Sequence, residues 1–250
     1  MILQNKVAIV TGGARDIGRA VSIKLAEEGA RVVINYYDNK AQAEDTLAQI
    51  EAFGGTAMLV QGDMTKQSDV NTVVAEALNA YGDDIHVLVN VAGGLVARKK
   101  IDEMDEGFFD LVMKLNMNSV FLMTKAVVPH MKSGSSIVNF ASQAGRDGGG
   151  PGASAYATAK GAVMTFTRSM DKELGPHNIR ENALCPGMNA TTFHDTFTKD
   201  QVRVNVANGT PLRREGEAME VANLVACLAS AETSFVTGTN IDINGGLAFS

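Results

Sequence analysis

The amino-acid sequence predicts an α/β fold: a doubly wound parallel sheet of about seven strands with helices on both faces, formed by a single domain over residues 1–250. Short β-branched apolar runs alternate with longer segments of helical periodicity, which is the pattern of parallel strands joined by crossover helices. The first apolar run ends in a glycine-rich turn that opens a helix. No Pro/Ser-rich linker or change of composition divides the chain.

The individual elements follow from the apolar runs and their flanking glycines. Runs rich in Val and Ile are typical of strands buried on both faces, and Gly29, Gly54 and Gly175 end three helical segments. The predicted strands cover residues 6–11, 31–36, 56–61, 85–90, 136–140, 179–184 and 240–243. The predicted helices run from the first glycine-rich turn to Glu28 and over residues 40–53, about 68–81, about 106–131, about 154–174 and 218–229. Residues 188 to about 216 lack clear periodicity, which is typical of a substrate loop or lid.

Composition narrows the classes of function. The 28 acidic residues outnumber the 22 basic ones, and a formal net charge of −6 argues against nucleic acid as a partner. Cys185 and Cys227 form neither a disulfide framework nor a metal-binding spacing, and the four histidines are scattered, so we expect no metal site. No apolar run reaches membrane-spanning length, and the start of the chain lacks a secretion leader. We therefore expect no membrane partner and a cytoplasmic location.

A candidate acid/base pair lies in the helix predicted near residues 154–174. Lys160 follows Tyr156 by four residues, so a helix projects both side chains from one face. A phenol normally titrates near 10, and a neighbouring ammonium favours the phenolate and moves its pKa towards neutrality. The pair alone is a weak signal, because a surface Tyr and Lys fit the same pattern.

The first glycine-rich turn points to a dinucleotide. Residues 12–18 read Gly-Gly-Ala-Arg-Asp-Ile-Gly, between a buried strand and a helix. Glycines let the backbone approach a pyrophosphate, and the helix N-terminus faces the anion. In this context we favour dinucleotide binding over an ordinary loop.

Other candidates follow the ends of later strands, where ligands approach an open α/β sheet. Small residues occupy positions 91–94, and Ser142 follows the strand predicted to end at residue 140. The cations Arg98, Lys99 and Lys100 lie on the loop after residue 94. They form either a solvated face or a binding site for an anionic substrate, and the sequence leaves both interpretations open.

Taken in order, these motifs resemble those of the classical short-chain dehydrogenases/reductases from end to end. Each match is weak alone, whereas the ordered set is specific. The resemblance implies a Rossmann-like fold, an NAD(P)-dependent oxidoreductase and a homotetramer. The matching positions are Thr11-Gly12 through Ile17-Gly18, Asp63, Asn90-Val91-Ala92-Gly93, Asn116, Ser142, Tyr156 with Lys160, Pro186-Gly187 with Thr191, and Gly245-Gly246.

The resemblance also implies roles for four catalytic residues. Tyr156 would exchange a proton with the substrate carbonyl oxygen, and Ser142 would hold that oxygen by a hydrogen bond. Lys160 would lower the pKa of Tyr156 and bind the nicotinamide ribose. Asn116 would hold a water that links Lys160 to solvent. The implied cofactor-binding residues are Gly12, Arg15, Asp16, Ile17, Gly18, Asn35, Tyr36, Asp63, Met64, Asn90, Ala92, Gly93, Tyr156, Lys160, Pro186, Gly187 and Thr191.

Some positions depart from the family pattern and bear on the cofactor. Asp16 replaces the second glycine of the phosphate turn, where a carboxylate is unfavourable unless it points away, for instance as a helix N-cap. Asn35 stands where an acidic residue would bond the ribose 2′-hydroxyl, and Arg15 is placed to bind a 2′-phosphate. We therefore expect NADP(H), with NAD(H) possible because Asp38 lies close by.

Three stretches on the substrate side are similar to the bacterial alginate-pathway reductases, which reduce 4-deoxy-L-erythro-5-hexoseulose uronate to 2-keto-3-deoxy-gluconate. These stretches lie in residues 93–99, 148–152 and 192–211. A uronate carries a carboxylate that Arg or Lys would bind. The expected substrate-binding residues are Arg98, Lys99, Ser142, Gly150, Tyr156 and His194. Two alternatives stay open: a 3-oxoacyl-[acyl-carrier-protein] reductase and a non-catalytic cofactor-binding regulator.

Overall fold

A computed structural model describes residues 1–249 of the chain, and seven of its segments pair as parallel strands of one sheet. The strands are β1 (Val7–Thr11), β2 (Arg31–Tyr36), β3 (Thr56–Gln61), β4 (Val87–Asn90), β5 (Ser136–Phe140), β6 (Arg180–Pro186) and β7 (Asn240–Ile243). Their order across the sheet is β3-β2-β1-β4-β5-β6-β7, so the predicted fold class is confirmed.

Helices fill the connections between the strands. They are α1 (Asp16–Glu27), α2 (Lys40–Ala52), α3 (Gln67–Tyr81), α4 (Glu106–Met113), α5 (Ser119–Val127), α6 (Ala144–Asp147), α7 (Ser154–Leu174), α8 (Thr192–Phe197), α9 (Asp200–Gly209) and α10 (Ala218–Ala229). A π-helical turn at Lys114–Asn118 joins α4 to α5, and short 3₁₀ turns follow α5, α7 and α10.

The order of the strands reverses at the centre of the sheet. Ile9 of β1 is level with Val33 of β2 on one side and with Leu88 of β4 on the other. The chain builds outward from β1 to β3 and then crosses back to continue with β4. In open α/β sheets a ligand crevice forms at the carboxyl ends of the strands at such a point. Here that point lies beyond Thr11 and Asn90.

Two apolar cores lie on opposite faces of the sheet because successive strand side chains point in opposite directions. Val10 packs into the core shared with α1 and α10, whereas its neighbour Ile9 packs into the core shared with α3 and α5. A smaller cluster around Val163 and Ala183 joins α7 to β6. The helices on both faces fix the strand ends that border the crevice.

The predicted element boundaries agree closely with the structure, and β2, β3, β5, β7, α7 and α10 agree to the residue. The prediction for residues 188–216 was wrong in one respect. This segment, called the lid below, contains α8 and α9 instead of irregular chain. Within it Arg203 pairs with both Asp195 and Glu215.

A second correction concerns membrane-spanning length. The continuous helical stretch Glu106–His130 is long and apolar enough to cross a membrane by length and composition, with a mean hydropathy of 1.2. The expectation that no apolar run reaches this length was therefore wrong. Of its most apolar window, 39% is buried within the chain, and the core helix of a soluble protein meets the same criterion.

Candidate active site

A cavity of about 870 Å³ opens at the carboxyl ends of the strands, where the strand order reverses. Its walls come from the turn between β1 and α1, the end of β2, the segments after β4, β5 and β6, α7 and the lid. This volume is in the range of cofactor and small-molecule sites. The expected site residues that line it are Gly12, Arg15, Asp16, Ile17, Gly18, Tyr36, Ala92, Gly93, Arg98, Ser142, Gly150, Tyr156, Lys160, Pro186, Gly187, Thr191 and His194.

Helix α7 brings Tyr156 and Lys160 onto one face, next to the end of β5. Lys160 Nζ lies 5.8 Å from the centroid of the Tyr156 ring and donates a 2.6 Å hydrogen bond to the backbone oxygen of Phe140. Burial lowers the pKa of Lys160 to about 8. The amine is thus held beside the phenol by a backbone carbonyl at the edge of the sheet.

The pKa of Tyr156 is raised, because burial disfavours the phenolate, while a hydrogen bond with Ser142 acts in the opposite direction. In the protein alone burial thus outweighs the influences that lower this pKa, and the role predicted for Lys160 stays a prediction. The Lys160 amine is itself buried and bonded to Phe140, and burial is the dominant influence on the phenol. Tyr156 is protonated near neutral pH, which is the state that a proton donor needs.

Asn116 is fully buried in the π-helical turn between α4 and α5. Its Oδ1 accepts a hydrogen bond from the Gly94 N–H at 2.9 Å, and its Nδ2 donates to Gly94 O at 2.8 Å and to Val112 O at 2.9 Å. A methyl group added to Gly93 would lie 2.7 Å from Asn116 Oδ1 and 3.2 Å from Lys160 Nζ. Asn116 therefore shapes the wall after β4 and lies close to Lys160, without itself lining the cavity.

The turn between β1 and α1 has the form of a phosphate cradle. Gly12 has a left-handed backbone, with φ of +61°, and a methyl group on Gly18 would lie 2.0 Å from Gly12 O. Glycine is therefore required at position 18 for the helix to approach the strand this closely. The N–H groups at the start of α1 and the helix dipole favour an anion there.

Contrary to the expectation for a cofactor-binding residue, Asn35 does not face the cavity. Its Oδ1 accepts a hydrogen bond from Gly12 N at 3.2 Å, and its Nδ2 donates to backbone oxygens of Val60 and Gly62. The Asn35 side chain is buried, and these bonds join the phosphate turn to the end of β3. Successive residues of a strand point to opposite faces, so it is Tyr36 and the residues after it that reach the crevice.

Three other expected cofactor residues lie outside the cavity wall. Asp63 accepts hydrogen bonds from Thr65, and Met64 is buried in the core on the face of α3. Asn90 donates to Asn139 Oδ1 at 2.9 Å within the sheet.

Asp16 has a backbone conformation that is more usual for glycine. Its φ is +50°, a left-handed conformation that Asp tolerates better than most residues. It is not the N-cap of α1, a position that Arg15 holds without a side-chain bond. Its carboxylate instead accepts hydrogen bonds from the backbone N–H and the hydroxyl of Thr192 in the lid.

The substrate end of the cavity contains one of the two expected cations. Arg98 lines the wall and donates through Nε to Phe197 O and through Nη1 to Pro151 O. Lys99 points elsewhere: its Nζ lies 3.6 Å from Asp105 Oδ2 and 4.6 Å from the centroid of the Phe108 ring.

The lid closes this end with aromatic side chains. The Phe193 ring lies 6.1 Å from the Tyr156 ring and packs against His194 and Phe197. Burial lowers the pKa of His194, so its imidazole is neutral near pH 7. His194 Nδ1 is 3.0 Å from Thr198 Oγ1.

Comparison with known proteins bears on this arrangement. The profile of the family described as Enoyl-(Acyl carrier protein) reductase matches residues 12–248. The chain is 38% identical to the uncharacterized oxidoreductase YhxC of Bacillus subtilis, over 98% of this chain and 85% of that protein. It is 34% identical to the 3-oxoacyl-[acyl-carrier-protein] reductase FabG of Staphylococcus epidermidis, over 97% of this chain and 99% of that protein. A short-chain dehydrogenase of Burkholderia cenocepacia, solved in complex with NADP, superposes with a TM-score of 0.92 at 31% identity and covers 99% of both chains.

The chain belongs to the short-chain dehydrogenase/reductase family. Members of this family are oxidoreductases that use NAD or NADP, and the cavity fits such a dinucleotide. The glycine turn would receive the pyrophosphate, because the N–H groups at the start of α1 and the helix dipole favour an anion there. Tyr156 and Lys160 lie at the other end, where the nicotinamide would meet a substrate.

Sequence reasoning missed several residues of this dehydrogenase/reductase cavity. Tyr37, Asn39 and Gln42 line the end that would hold the adenosine ribose, and Phe193 covers Tyr156. The signal for the first group was available, since these residues directly follow a strand whose carboxyl end borders the crevice. Phe193 gave no such signal, because it lies in the lid, where no periodicity was evident.

Proposed function

We propose that the protein is an NADPH-preferring carbonyl reductase of a small anionic keto-sugar acid, with the conversion of 4-deoxy-L-erythro-5-hexoseulose uronate to 2-keto-3-deoxy-gluconate as its reaction. The observation that carries the proposal is the guanidinium of Arg98 on the wall of the cavity that also contains Tyr156 and Ser142. A carbonyl held by the hydroxyls leaves the far end of a short substrate facing a cation.

The proposed reaction uses the protonated phenol of Tyr156 as the acid. When bound, a nicotinamide cofactor would supply the hydride for the carbonyl carbon. Tyr156 gives its proton to the carbonyl oxygen, and Ser142 donates a hydrogen bond to that oxygen and orients it. Lys160 stabilises the phenolate that results, since the amine lies beside the ring at the end of β5. In oxidation the proton moves in the opposite direction.

Arg98 retains donors for a substrate. A guanidinium carries five N–H groups, and two of its three nitrogens donate to Phe197 O and Pro151 O. The remaining N–H groups suit a carboxylate, which pairs well with the planar guanidinium. Gly150 lies beside Arg98, since a methyl group added to Gly150 would be 3.4 Å from Arg98 Nη1. Neutral His194 adds a hydrogen-bond partner for a sugar hydroxyl.

The preference for NADPH rests on Arg15. Its side chain is 63% exposed at the rim of the cavity, near the end of β2. A 2′-phosphate there would gain a charge-assisted contact from Arg15. Asp38 lines the same end and would oppose the phosphate, so NADH remains a competing cofactor.

Two other functions compete with this proposal. The identity to a 3-oxoacyl-[acyl-carrier-protein] reductase favours that activity as the second candidate. Such a substrate needs an open mouth for its pantetheine arm, whereas Arg98 bridges the lid to the loop at Pro151. A non-catalytic cofactor-binding regulator is disfavoured by the complete set of Ser142, Tyr156 and Lys160.

We also propose a cytoplasmic homotetramer with neither a nucleic acid nor a membrane as partner. Support for assembly comes from apolar side chains on the surface of α4 and α5. Leu111 is 48% exposed and Phe121 is 44% exposed, and the Phe121 ring meets Phe166 of α7 edge to face at 6.5 Å. Burying such a face between subunits removes apolar area from water. Sedimentation velocity measures the assembly directly.

The deciding experiment is a substrate panel run with NADH and with NADPH. It compares uronate-derived keto acids, neutral carbonyl compounds of similar size and acetoacetyl thioesters. We expect the highest kcat/KM for a uronate-derived keto acid with NADPH. A preference for acetoacetyl thioesters would replace the proposal with the acyl-carrier-protein activity. Cofactor binding without turnover of any substrate would favour the regulator.

A further inference from the structure

The lid is attached to the phosphate turn through one side chain that departs from the family pattern. Asp16 Oδ1 accepts a hydrogen bond from Thr192 N at 3.0 Å, and Asp16 Oδ2 accepts one from Thr192 Oγ1 at 2.5 Å. Only 21% of the Asp16 side chain is exposed. Glycine at this position has no side chain, so a chain with the usual residue lacks both bonds.

Arg15 reinforces the same contact. Its Nη1 donates to Thr192 Oγ1 at 3.3 Å and lies 3.8 Å from Asp16 Oδ2. The carboxylate is therefore surrounded by donors from Thr192 and by a guanidinium. This arrangement directs the Asp16 carboxylate towards the lid.

The contact holds one end of a segment whose other end is also held. Thr192 is the first residue of α8, and Phe197, the last, accepts a hydrogen bond from Arg98 Nε at 3.2 Å. Between these two points Phe193 packs over Tyr156. Thr191, which lines the cavity beside Pro186, directly precedes the first point. Releasing Thr192 would free both Thr191 and Phe193 to move away from the cleft.

We propose that Asp16 is a positioning residue that holds the lid closed over the cofactor cleft through Thr192. The phosphate turn and the lid then open and close together, and Asp16 slows the exchange of cofactor. The contact between Asp16 and Thr192 keeps the lid closed whichever ligand the cleft binds. The effect of Asp16 on cofactor exchange rests on the proposed use of this cleft for NADPH.

The variants that test this role exploit the left-handed backbone at position 16. Asp16→Gly keeps that backbone and removes both hydrogen bonds, whereas Asp16→Asn keeps an acceptor for Thr192 N and removes the charge. Thr192→Val removes the hydroxyl with little change of shape. Thr196→Val is the matched control, because the Thr196 hydroxyl donates within α8 to Thr192 O and, among residues 1–249, to no other group.

The first measurement is limited proteolysis of the cofactor-free protein with chymotrypsin, with cleavage after Phe193 and Phe197 followed by mass spectrometry. We expect Asp16→Gly to be cut about tenfold faster than the wild type, as hydrogen bonds to a charged group are lost. Asp16→Asn is expected to recover much of the protection, and Thr196→Val to match the wild type. Equal cleavage of Asp16→Gly and the wild type would overturn the proposal, whatever the substrate of the enzyme proves to be.

The second measurement is the rate at which NADPH leaves the protein, followed by its fluorescence during displacement. Asp16→Gly and Thr192→Val should each accelerate dissociation severalfold. In the Asp16→Gly background, Thr192→Val should add little, because its partner is already gone. Independent effects of the two substitutions would contradict the proposed contact. A protein that binds no NADPH would instead count against the proposed function, while the cleavage experiment still tests the lid.

Discussion

At the scale of single residues, the site combines two buried groups whose pKa values shift in opposite directions. Burial raises the pKa of the Tyr156 phenol and lowers that of the Lys160 amine to about 8. In the protein alone, burial outweighs the attraction between an ammonium and a phenolate. The phenol is therefore protonated near neutral pH, which is the state that the proposed reduction of a carbonyl requires.

Tyr156→Phe tests this role with the smallest change of shape. Loss of the transferable proton should lower kcat by about 10²–10⁴-fold, the usual contribution of general acid catalysis. NADPH affinity, measured by fluorescence titration, should change little, because the ring is kept. A variant with near-normal kcat would exclude Tyr156 as the proton donor.

Arg15→Ala tests the choice of cofactor. Its effect on the lid contact with Thr192 is common to both cofactors, whereas a bond to the 2′-phosphate belongs to NADPH alone. We expect the NADPH dissociation constant to rise about tenfold more than that of NADH, roughly 1.5 kcal/mol for a charged contact on an exposed side chain. Equal losses in isothermal titrations would show that Arg15 does not bind the phosphate.

Arg98→Gln separates binding of a carboxylate from support of the lid. Glutamine keeps an amide that can donate to a backbone oxygen but has no charge. We expect KM for a uronate-derived keto acid to rise about tenfold or more, and KM for a neutral carbonyl compound of similar size to change much less. Parallel changes for the two substrates would mean that Arg98 acts only through Phe197 and Pro151.

At the scale of elements, the turn between β1 and α1 is the tightest constraint on the cleft. The approach of α1 to β1 depends on Gly18, where a methyl group would lie 2.0 Å from Gly12 O and 2.9 Å from Gly12 C. These are backbone atoms that cannot rotate away. Relief requires movement of the whole turn, and with it of the N–H groups that would bind a pyrophosphate.

Gly18→Ala should therefore raise the NADPH dissociation constant by at least about tenfold and destabilise the fold by about 1–3 kcal/mol, the usual cost of overpacking. Gly175→Ala is the control. Gly175 has a right-handed helical backbone after α7, and the space that an added methyl group would occupy there is open. Urea denaturation and NADPH titration compare the two, and tight NADPH binding by Gly18→Ala would refute the role of the turn.

Elements differ in how far the sequence predicts them. The strands β2 and β3 were predicted to the residue because each is an apolar run that follows a glycine, and the helix α10 because its residues are mostly apolar over a helical length. Helix α8 has six residues, too few for an apolar stripe to repeat, so it has no detectable period. The direction of Asn35 was missed for a different reason: in a strand, an error of one residue reverses the face of a side chain.

At the scale of the whole molecule, a chain of buried hydrogen bonds between side chains runs across three neighbouring strands, from β4 through β5 to β6. Asn90 donates to Asn139 Oδ1, and Asn139 Nδ2 donates to Glu181 Oε1 at 2.6 Å. Among the residues that the structure describes, Glu181 Oε2 has no hydrogen-bond partner. Burial, with a smaller contribution from Asp171, raises the pKa of Glu181 to about 8.

This pKa makes stability depend on pH. The folded protein keeps the Glu181 proton that the unfolded chain releases above about pH 4.5, so the free energy of unfolding falls as pH rises from there to about 8. Glu181→Gln removes the titration and keeps an acceptor for Asn139. We expect the variant to be more stable than the wild type at pH 8, by about 1–3 kcal/mol, and the gap to close near pH 4.5.

Urea denaturation at pH 5, 6.5 and 8 measures this difference. Glu76→Gln, exposed on α3, is the matched control for loss of a carboxyl group. A constant difference between Glu181→Gln and the wild type across this range would show that Glu181 is ionised in the folded protein.

The central position of β1 has a consequence for synthesis of the chain. β2 pairs with one edge of β1 soon after it leaves the ribosome, but the other edge waits for β4, whose paired residues lie 79 positions later in the register of Ala8 with Val87. β5, β6 and β7 then join one at a time in chain order. At each stage the incomplete sheet has an unpaired apolar edge until the next strand pairs with it, and unpaired edges promote aggregation. The pocket for the dinucleotide is completed late, so the ligand stabilises the finished protein and gives little help to the growing one.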